Sequence, residues 1–180
     1  MNTIPPENGG RKERKQMNEK RYYIAYGSNL SVKLMACNCP DAKVIGTGEI
    51  KDYALLFKSC ATIEPRKGKR VQVLVWEISP EDEKSLDRYE GYPTLYYKKD
   101  LTLPVQITGT EVKQEMTAMV YIMNERNRLA SPSCYYYKML ADGYEEFGFD
   151  KTILEQALAD SIGNQATGKF LNGYLDDCRR

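Results

Sequence analysis

The chain contains no histidine, and that absence decides which chemistry its side chains can do. Serine–histidine and cysteine–histidine nucleophilic sites, helical zinc-protease motifs and imidazole proton shuttles are excluded together. A proton carrier working near neutral pH must then be a carboxylate, cysteine, lysine or tyrosine with an adjusted pKa. Two stretches have residue types suited to such work. Residues 23–30 (YIAYGSNL) and residues 86–93 (LDRYEGYP) each end a regular element at a glycine.

In the first stretch, a strand that ends in Gly27-Ser28-Asn29 ahead of a helix exposes backbone N–H groups and the positive end of a helix dipole. Carboxylates and phosphates bind readily there. Gly27 permits close backbone approach, and Ser28 and Asn29 add side-chain hydrogen bonds. The same residues also make an ordinary capped turn, the commoner outcome on local grounds. It is not a Walker A loop, since no Gly-Lys-Ser/Thr occurs.

In the second stretch, Glu90 falls at the C-terminal end of an expected helix, where the dipole raises a carboxylate pKa slightly. Its neighbours Tyr89 and Tyr92 would raise it further by desolvation, toward the range useful for proton transfer. Local features alone also allow a solvated helix-end charge, like Glu81 or Glu83. The chain carries 14 tyrosines against 4 phenylalanines. Buried tyrosines need partners for their hydroxyls and often line polar pockets, though most pack at sheet rims.

These residues need elements to hold them. Residues 22–26 (YYIAY) read as a buried first strand, and residues 31–37 as a short helix capped by Ser28, Asn29 or Ser31. Residues 43–50 and 52–58 read as paired strands, and residues 70–78 (RVQVLVWEI) alternate as a third. Ser79 caps a helix with Pro80 at its first position and acids in its first turn; it runs to about Tyr89 and stops near Gly91. Residues 96–105 and 117–123 complete the strands, and residues 133–146 and 150–161 are expected helices. Strands mixed with a few short helices, without regular βαβ alternation, predict an α+β domain with a curled, barrel-like sheet.

At 180 residues the chain can bury a core as one domain. No apolar run reaches the ~18 residues of a membrane span. The first twenty residues are polar and lack a secretory apolar core, so a cytoplasmic protein with no membrane partner is expected. The 26 basic and 25 acidic residues give a formal charge of +1, which leaves no nucleic-acid footprint. The basic clusters at residues 11–15 and 66–70 read as solvated surface, the second in a loop. Five cysteines at irregular spacing, including Cys37-Asn38-Cys39, predict reduced thiols and no metal site.

Read together, Tyr26-Gly27-Ser28-Asn29-Leu30 and, about sixty residues later, Leu86-Asp87-x-x-Glu90-Gly91 resemble the gamma-glutamylcyclotransferase superfamily, which includes the AIG2-like proteins. Residues 120–123 (VYIM) and 132–143 (PSCYYYKMLADG) are similar to its last core strand and following helix. The resemblance spans about residues 21–149. It implies a small mixed, mostly antiparallel barrel-like sheet with a few flanking helices. Residues 1–20 would be a disordered polar tail, 21–163 the domain and 164–180 a C-terminal extension. It implies an enzyme that needs no cofactor and takes a small-molecule γ-glutamyl substrate as a monomer or homodimer. Glu90 would be the acid/base. Tyr23, Ile24, Ala25, Tyr26, Gly27, Ser28 and Asn29 would bind the glutamyl moiety, with Tyr121 and Tyr136. The Gly27–Ser28 backbone would face either the oxyanion or the α-carboxylate. A catalytically silent metabolite-binding or interaction module on the same fold is the alternative.

Overall fold

A computed structural model describes residues 20–162, 173–176 and 178. Strand β1 (Arg21–Ala25) is followed by a 3-10 turn (Ser28–Leu30) and helix α1 (Val32–Asn38). Strands β2 (Lys43–Lys58) and β3 (Cys60–Ile78) form a long hairpin. Helix α2 (Pro80–Glu90), strands β4 (Tyr96–Ile107) and β5 (Lys113–Met123), and helices α3 (Cys134–Glu146) and α4 (Lys151–Ile162) complete the domain.

The five strands close into a barrel in the order β1-β3-β2-β4-β5. All pairings are antiparallel except the closing one between β1 and β5, which is parallel. Closure leaves β1 paired on both sides, Tyr23 opposite Trp76 on β3 and Met119 on β5. That explains why a five-residue strand is apolar along its buried part rather than alternating. The expected α+β barrel is therefore the observed fold.

Two expectations change. Residues 43–50 and 52–58 do not pair with each other; they are one strand, and both halves pair with β3. The break at Asp52 comes from its left-handed backbone, with φ of 59°. There the register jumps from Lys51–Arg70 to Tyr53–Pro65, so four residues of β3 bulge opposite Asp52 alone. Asp52 Oδ1 accepts the Gly68 N–H at 2.8 Å and holds this bulge. The basic residues 66–70 accordingly lie within β3 instead of a separate loop, with Arg66 paired to Asp160 and Arg70 to Glu49 and Asp150.

Helix α2 begins as its sequence predicts. Ser79 Oγ accepts the Asp82 N–H at 3.1 Å, and Asp82 Oδ2 accepts the Ser79 N–H at 3.0 Å. It ends because Gly91 adopts a left-handed conformation, with φ of 63°. Helix α3 rests on the 3-10 turn through Gly143, where a Cβ would stand 2.8 Å from Leu30 Cβ. Only a residue without a side chain allows that approach, so Gly143 sets the height of the turn beneath the site. Helix α4 covers β2, and its buried Ser161 Oγ accepts the Phe57 N–H at 2.7 Å. The expected tail over residues 1–20 lies, Lys20 apart, outside the described residues. Of the expected extension over 164–180, residues 173–176 are helical, and Tyr174 packs edge-on against Tyr137 of α3.

Candidate active site

The end of β1, the 3-10 turn, the end of α2 and the start of α3 meet at one mouth of the barrel. Tyr23, Tyr26, Gly27, Ser28, Asn29, Glu90, Tyr121 and Tyr136 line a single cavity there, together with Ala61 and Tyr96. Its free space is about 20 Å³, the room of about one water molecule. Larger surface grooves reach about 450 Å³, but this cavity is where a carboxylate meets buried phenols.

Glu90 is partly buried. Desolvation pushes its carboxyl from an ordinary 4.5 up to about 7, against a hydrogen bond from Asn29 that pulls it down. The expected rise is therefore present. Tyr89 and Tyr92 are 46% and 42% exposed and are not among the residues lining the cavity. The tyrosines that line it beside Glu90 converge from β1, β4, β5 and α3, with Tyr26 just past β1. Tyr89 has a different contact: its hydroxyl lies 3.0 Å from Ser28 Oγ, beside the cavity.

Asn29 connects the two motifs. Its Nδ2 donates to the Tyr23 hydroxyl at 2.8 Å and to Glu90 Oε1 at 3.0 Å. Its own carbonyl accepts from Trp76 Nε1 at 3.2 Å, which pins the turn to β3. Ser31, not Ser28 or Asn29, caps α1, accepting from the Leu34 N–H at 3.2 Å. The donors at the site thus belong to a 3-10 turn ahead of α1 rather than to the first turn of an α-helix. Gly27 is small for a local reason: a Cβ would lie 3.1 Å from the Tyr136 hydroxyl and 3.4 Å from Ala61 Cβ.

The tyrosine hydroxyls are mostly engaged by the chain. Tyr26 donates to the Tyr121 carbonyl at 2.6 Å, and Tyr96 to the Ala61 carbonyl at 2.9 Å. Tyr136 accepts the Ala61 N–H at 3.1 Å. Tyr121, which also lines the cavity, donates to Asp87. Burial first, and nearby Glu90 second, push the Tyr23 and Tyr26 phenols well above their usual value. Burial and then Glu90 also raise the Cys60 thiol. Glu90 is left as the group among these whose pKa falls near neutrality.

An ion-pair ladder holds α2 against the barrel. Lys98 on β4 bonds Glu83 at 2.6 Å and Asp87 at 2.7 Å, and Arg21 bonds Glu83 at 2.9 Å. Lys98 Nζ also stands 4.7 Å from the centre of the Tyr92 ring. Glu83, Asp87 and Glu90 follow one another at helical spacing, so fixing the first two aims the third.

Of the ten residues expected at the site, Ile24 and Ala25 do not reach the cavity; they are fully buried in the core. Alternation turns Ile24 to the face opposite Tyr23, whereas Ala25 shares the face of Tyr23 but has only a methyl side chain. Tyr96 and Ala61 are additional. Tyr96 was one tyrosine among many, and only the β4–β5 register, Tyr96 opposite Met123, brings it to the mouth. Ala61 carries no chemical signal in its side chain; its backbone supplies the contacts. Among the described residues, no group of three or more cysteine, aspartate and glutamate side chains is placed to hold a metal ion. No helix among them is long and apolar enough to cross a membrane.

A closed five-stranded α+β barrel with one desolvated glutamate in a tyrosine-lined mouth defines a class of small-molecule site. Comparison places the chain more narrowly. The description "Gamma-glutamyl cyclotransferase, AIG2-like" matches residues 23–139, and the chain belongs to that family. It is 28% identical over 148 residues to a bovine gamma-glutamylcyclotransferase, covering 75% of this chain and 76% of the relative. A solved gamma-glutamyl cyclotransferase superposes with a TM-score of 0.68 at 26% identity, covering 89% of this chain and 99% of that one. An uncharacterized human protein superposes at 0.66, also at 26% identity, covering 91% and 100%.

Proposed function

We propose that this chain catalyses the ring-closing cleavage of a γ-glutamyl amide, with Glu90 as its single acid/base. The substrate's α-amino nitrogen attacks its own γ-carbonyl, a five-membered lactam forms, and the amide C–N bond breaks. The products are 5-oxoproline and an amine or amino acid. The α-nitrogen sheds two protons in passing from ammonium to lactam N–H, and Glu90 takes each in turn and hands it to the leaving nitrogen, which departs as an ammonium, so no water or cofactor enters the balance. Both reacting atoms lie in one molecule, and holding them in a near-attack geometry supplies much of the acceleration. The Gly27–Ser28 backbone, at the start of a 3-10 turn, offers N–H donors to the developing oxyanion or to the α-carboxylate.

The observation that carries this reading is the Glu90 carboxyl, raised to about 7 inside the cavity and bonded by Asn29. A base with that pKa is half ionised at neutral pH and can both accept and donate a proton. Family membership supports the γ-glutamyl substrate class. The test is incubation with a panel of γ-glutamyl dipeptides and γ-glutamyl amines, following 5-oxoproline by mass spectrometry. Glu90→Gln should lower turnover by about 10²–10⁴-fold while substrate binding persists. No lactam from any member of the panel, with binding retained, would favour a silent metabolite-binding module.

A further inference from the structure

Two of the five cysteines, Cys134 and Cys178, are brought to one place by the packing of two helical segments. Cys134 is the first residue of α3, and Cys178 lies in the helical residues beyond 172. Tyr174 stands one helical turn before Cys178 and shares its face. Its ring packs edge-on against Tyr137, with 6.0 Å between ring centres. Tyr137 follows Cys134 by three residues and shares its face of α3. The Tyr174 hydroxyl donates to the Pro132 carbonyl at 2.6 Å, just ahead of Cys134. Burial first, then the neighbouring Cys178 and Cys134 thiols, push the Tyr174 phenol above its usual value. Both thiols therefore border one hydroxyl.

The other three cysteines are placed differently. Cys37 is exposed, and Cys39 is buried with its S–H directed at the Asp82 carbonyl, 3.7 Å away. Two positions apart at the end of α1, these side chains do not face each other. Cys60 is exposed, and the charge that acts on it is that of Glu90. All five are thiols in this structure.

We propose that Cys134 and Cys178 form a site of oxidative modification, a dithiol that a low-molecular-weight disulfide converts into an intramolecular disulfide. Cys134 is half-buried and Cys178 buried, so Cys134 reacts first. Its thiolate attacks one sulfur of the small disulfide and expels one small thiol. The Cys178 thiolate then attacks the Cys134 sulfur of the mixed disulfide and expels the second. The two protons lost from the cysteines end on the two released thiols, and the protein pair is oxidised as the small disulfide is reduced. The new bond ties the C-terminal helical residues to the start of α3. That same turn carries Ser133, which accepts the Tyr136 N–H at 3.2 Å, and Tyr136, which lines the cavity. This inference stands apart from the reaction proposed above.

The test incubates the full chain with 2-hydroxyethyl disulfide, which carries no γ-glutamyl group and is no substrate of the proposed reaction. Remaining thiols are alkylated, and a tryptic digest is read by mass spectrometry without reduction. Residues 129–138 should appear joined to residues 170–179 before Cys37, Cys39 or Cys60 is joined to any other cysteine. Closing a loop of about 44 residues should raise Tm by about 5–10 °C. Cys134→Ser and Cys178→Ser should each abolish the joined peptide and that gain, and Cys178→Ser should hold the mixed disulfide on Cys134. Cross-links spread among all five cysteines, or no joined peptide once the exposed Cys60 has fully reacted, would overturn the assignment. A joined chain whose Tm is unchanged or lower would do the same, since the two thiols would then have been pulled out of place to meet.

Discussion

Replacing Glu90 by glutamine should make the protein more stable at alkaline pH and leave it unchanged in acid. The folded chain holds the Glu90 carboxyl at about 7, against an ordinary 4.5. Between those values the folded state binds a proton that the unfolded state has released, so stability falls as pH rises through the window. Below pH 4.5 the group is protonated in both states and contributes no difference. Above pH 7 the folded chain must hold the carboxylate ionised in its tyrosine-lined site. At about 1.4 kcal/mol per pH unit, this difference corresponds to about 3 kcal/mol. Because Glu90 is only partly buried, solvent screening reduces the expected effect to about 2 kcal/mol. Glutamine has the same shape, keeps an oxygen for the Asn29 donor and carries no charge. Urea unfolding of wild type and Glu90→Gln at pH 4.5 and pH 8.5 measures the difference. The midpoints should coincide at the lower pH and separate at the higher, and thermal unfolding at pH 8.5 should show a gain in Tm of about 4–8 °C for the variant. Equal or lower stability of the variant at both pH values would mean that Glu90 is an ordinary solvated helix-end charge. Its role as a base near neutrality would then have no physical basis.

The same raised pKa should appear in catalysis as one ascending limb of kcat/KM centred near pH 7, and Cys60→Ser should leave it in place. A limb that vanished with the thiol would assign the proton transfer to cysteine. Gly143→Ala should destabilise the fold by about 1–3 kcal/mol and lower kcat/KM, since the added carbon meets Leu30 Cβ at 2.8 Å and shifts the turn that carries Ser28 and Asn29; urea denaturation and steady-state kinetics read the two effects. Lys98→Met removes the cation between Glu83 and Asp87 and should cost about 1–3 kcal/mol, with two partly buried carboxylates left facing each other. Unfolding at low and high salt checks this, the loss shrinking as salt screens the repulsion.

Much of this protein was legible before its structure because the relevant signals are local. Ser79, Pro80, Asp82 and Gly91 mark both ends of α2 by bonds that span at most four residues. The end of that helix places Glu90 next to a turn. The lack of histidine is a property of composition and needs no fold. What failed locally was the reading of residues 43–58, where one left-handed aspartate looked like a strand end. Its partner bulge lies on another strand, beyond any local window.

The site itself divides the same way. Residue types and spacing marked a carboxylate at position 90 and a Gly-Ser-Asn turn as candidates for proton transfer and anion binding, and the family resemblance favoured them over a solvated helix end and an ordinary capped turn. They pointed to Tyr89 and Tyr92 as cover for Glu90, yet both are about half exposed and neither lines the cavity. Only the closed barrel decides that Tyr96 and Ala61 join the cavity, that Ile24 and Ala25 do not, and that Asn29 reaches Glu90 across sixty-one residues. The reason is physical. Local backbone preferences and caps act within a turn or two of chain, whereas a carboxyl pKa depends on every group that excludes water from it. That enclosure exists only once β1 has paired with both β3 and β5.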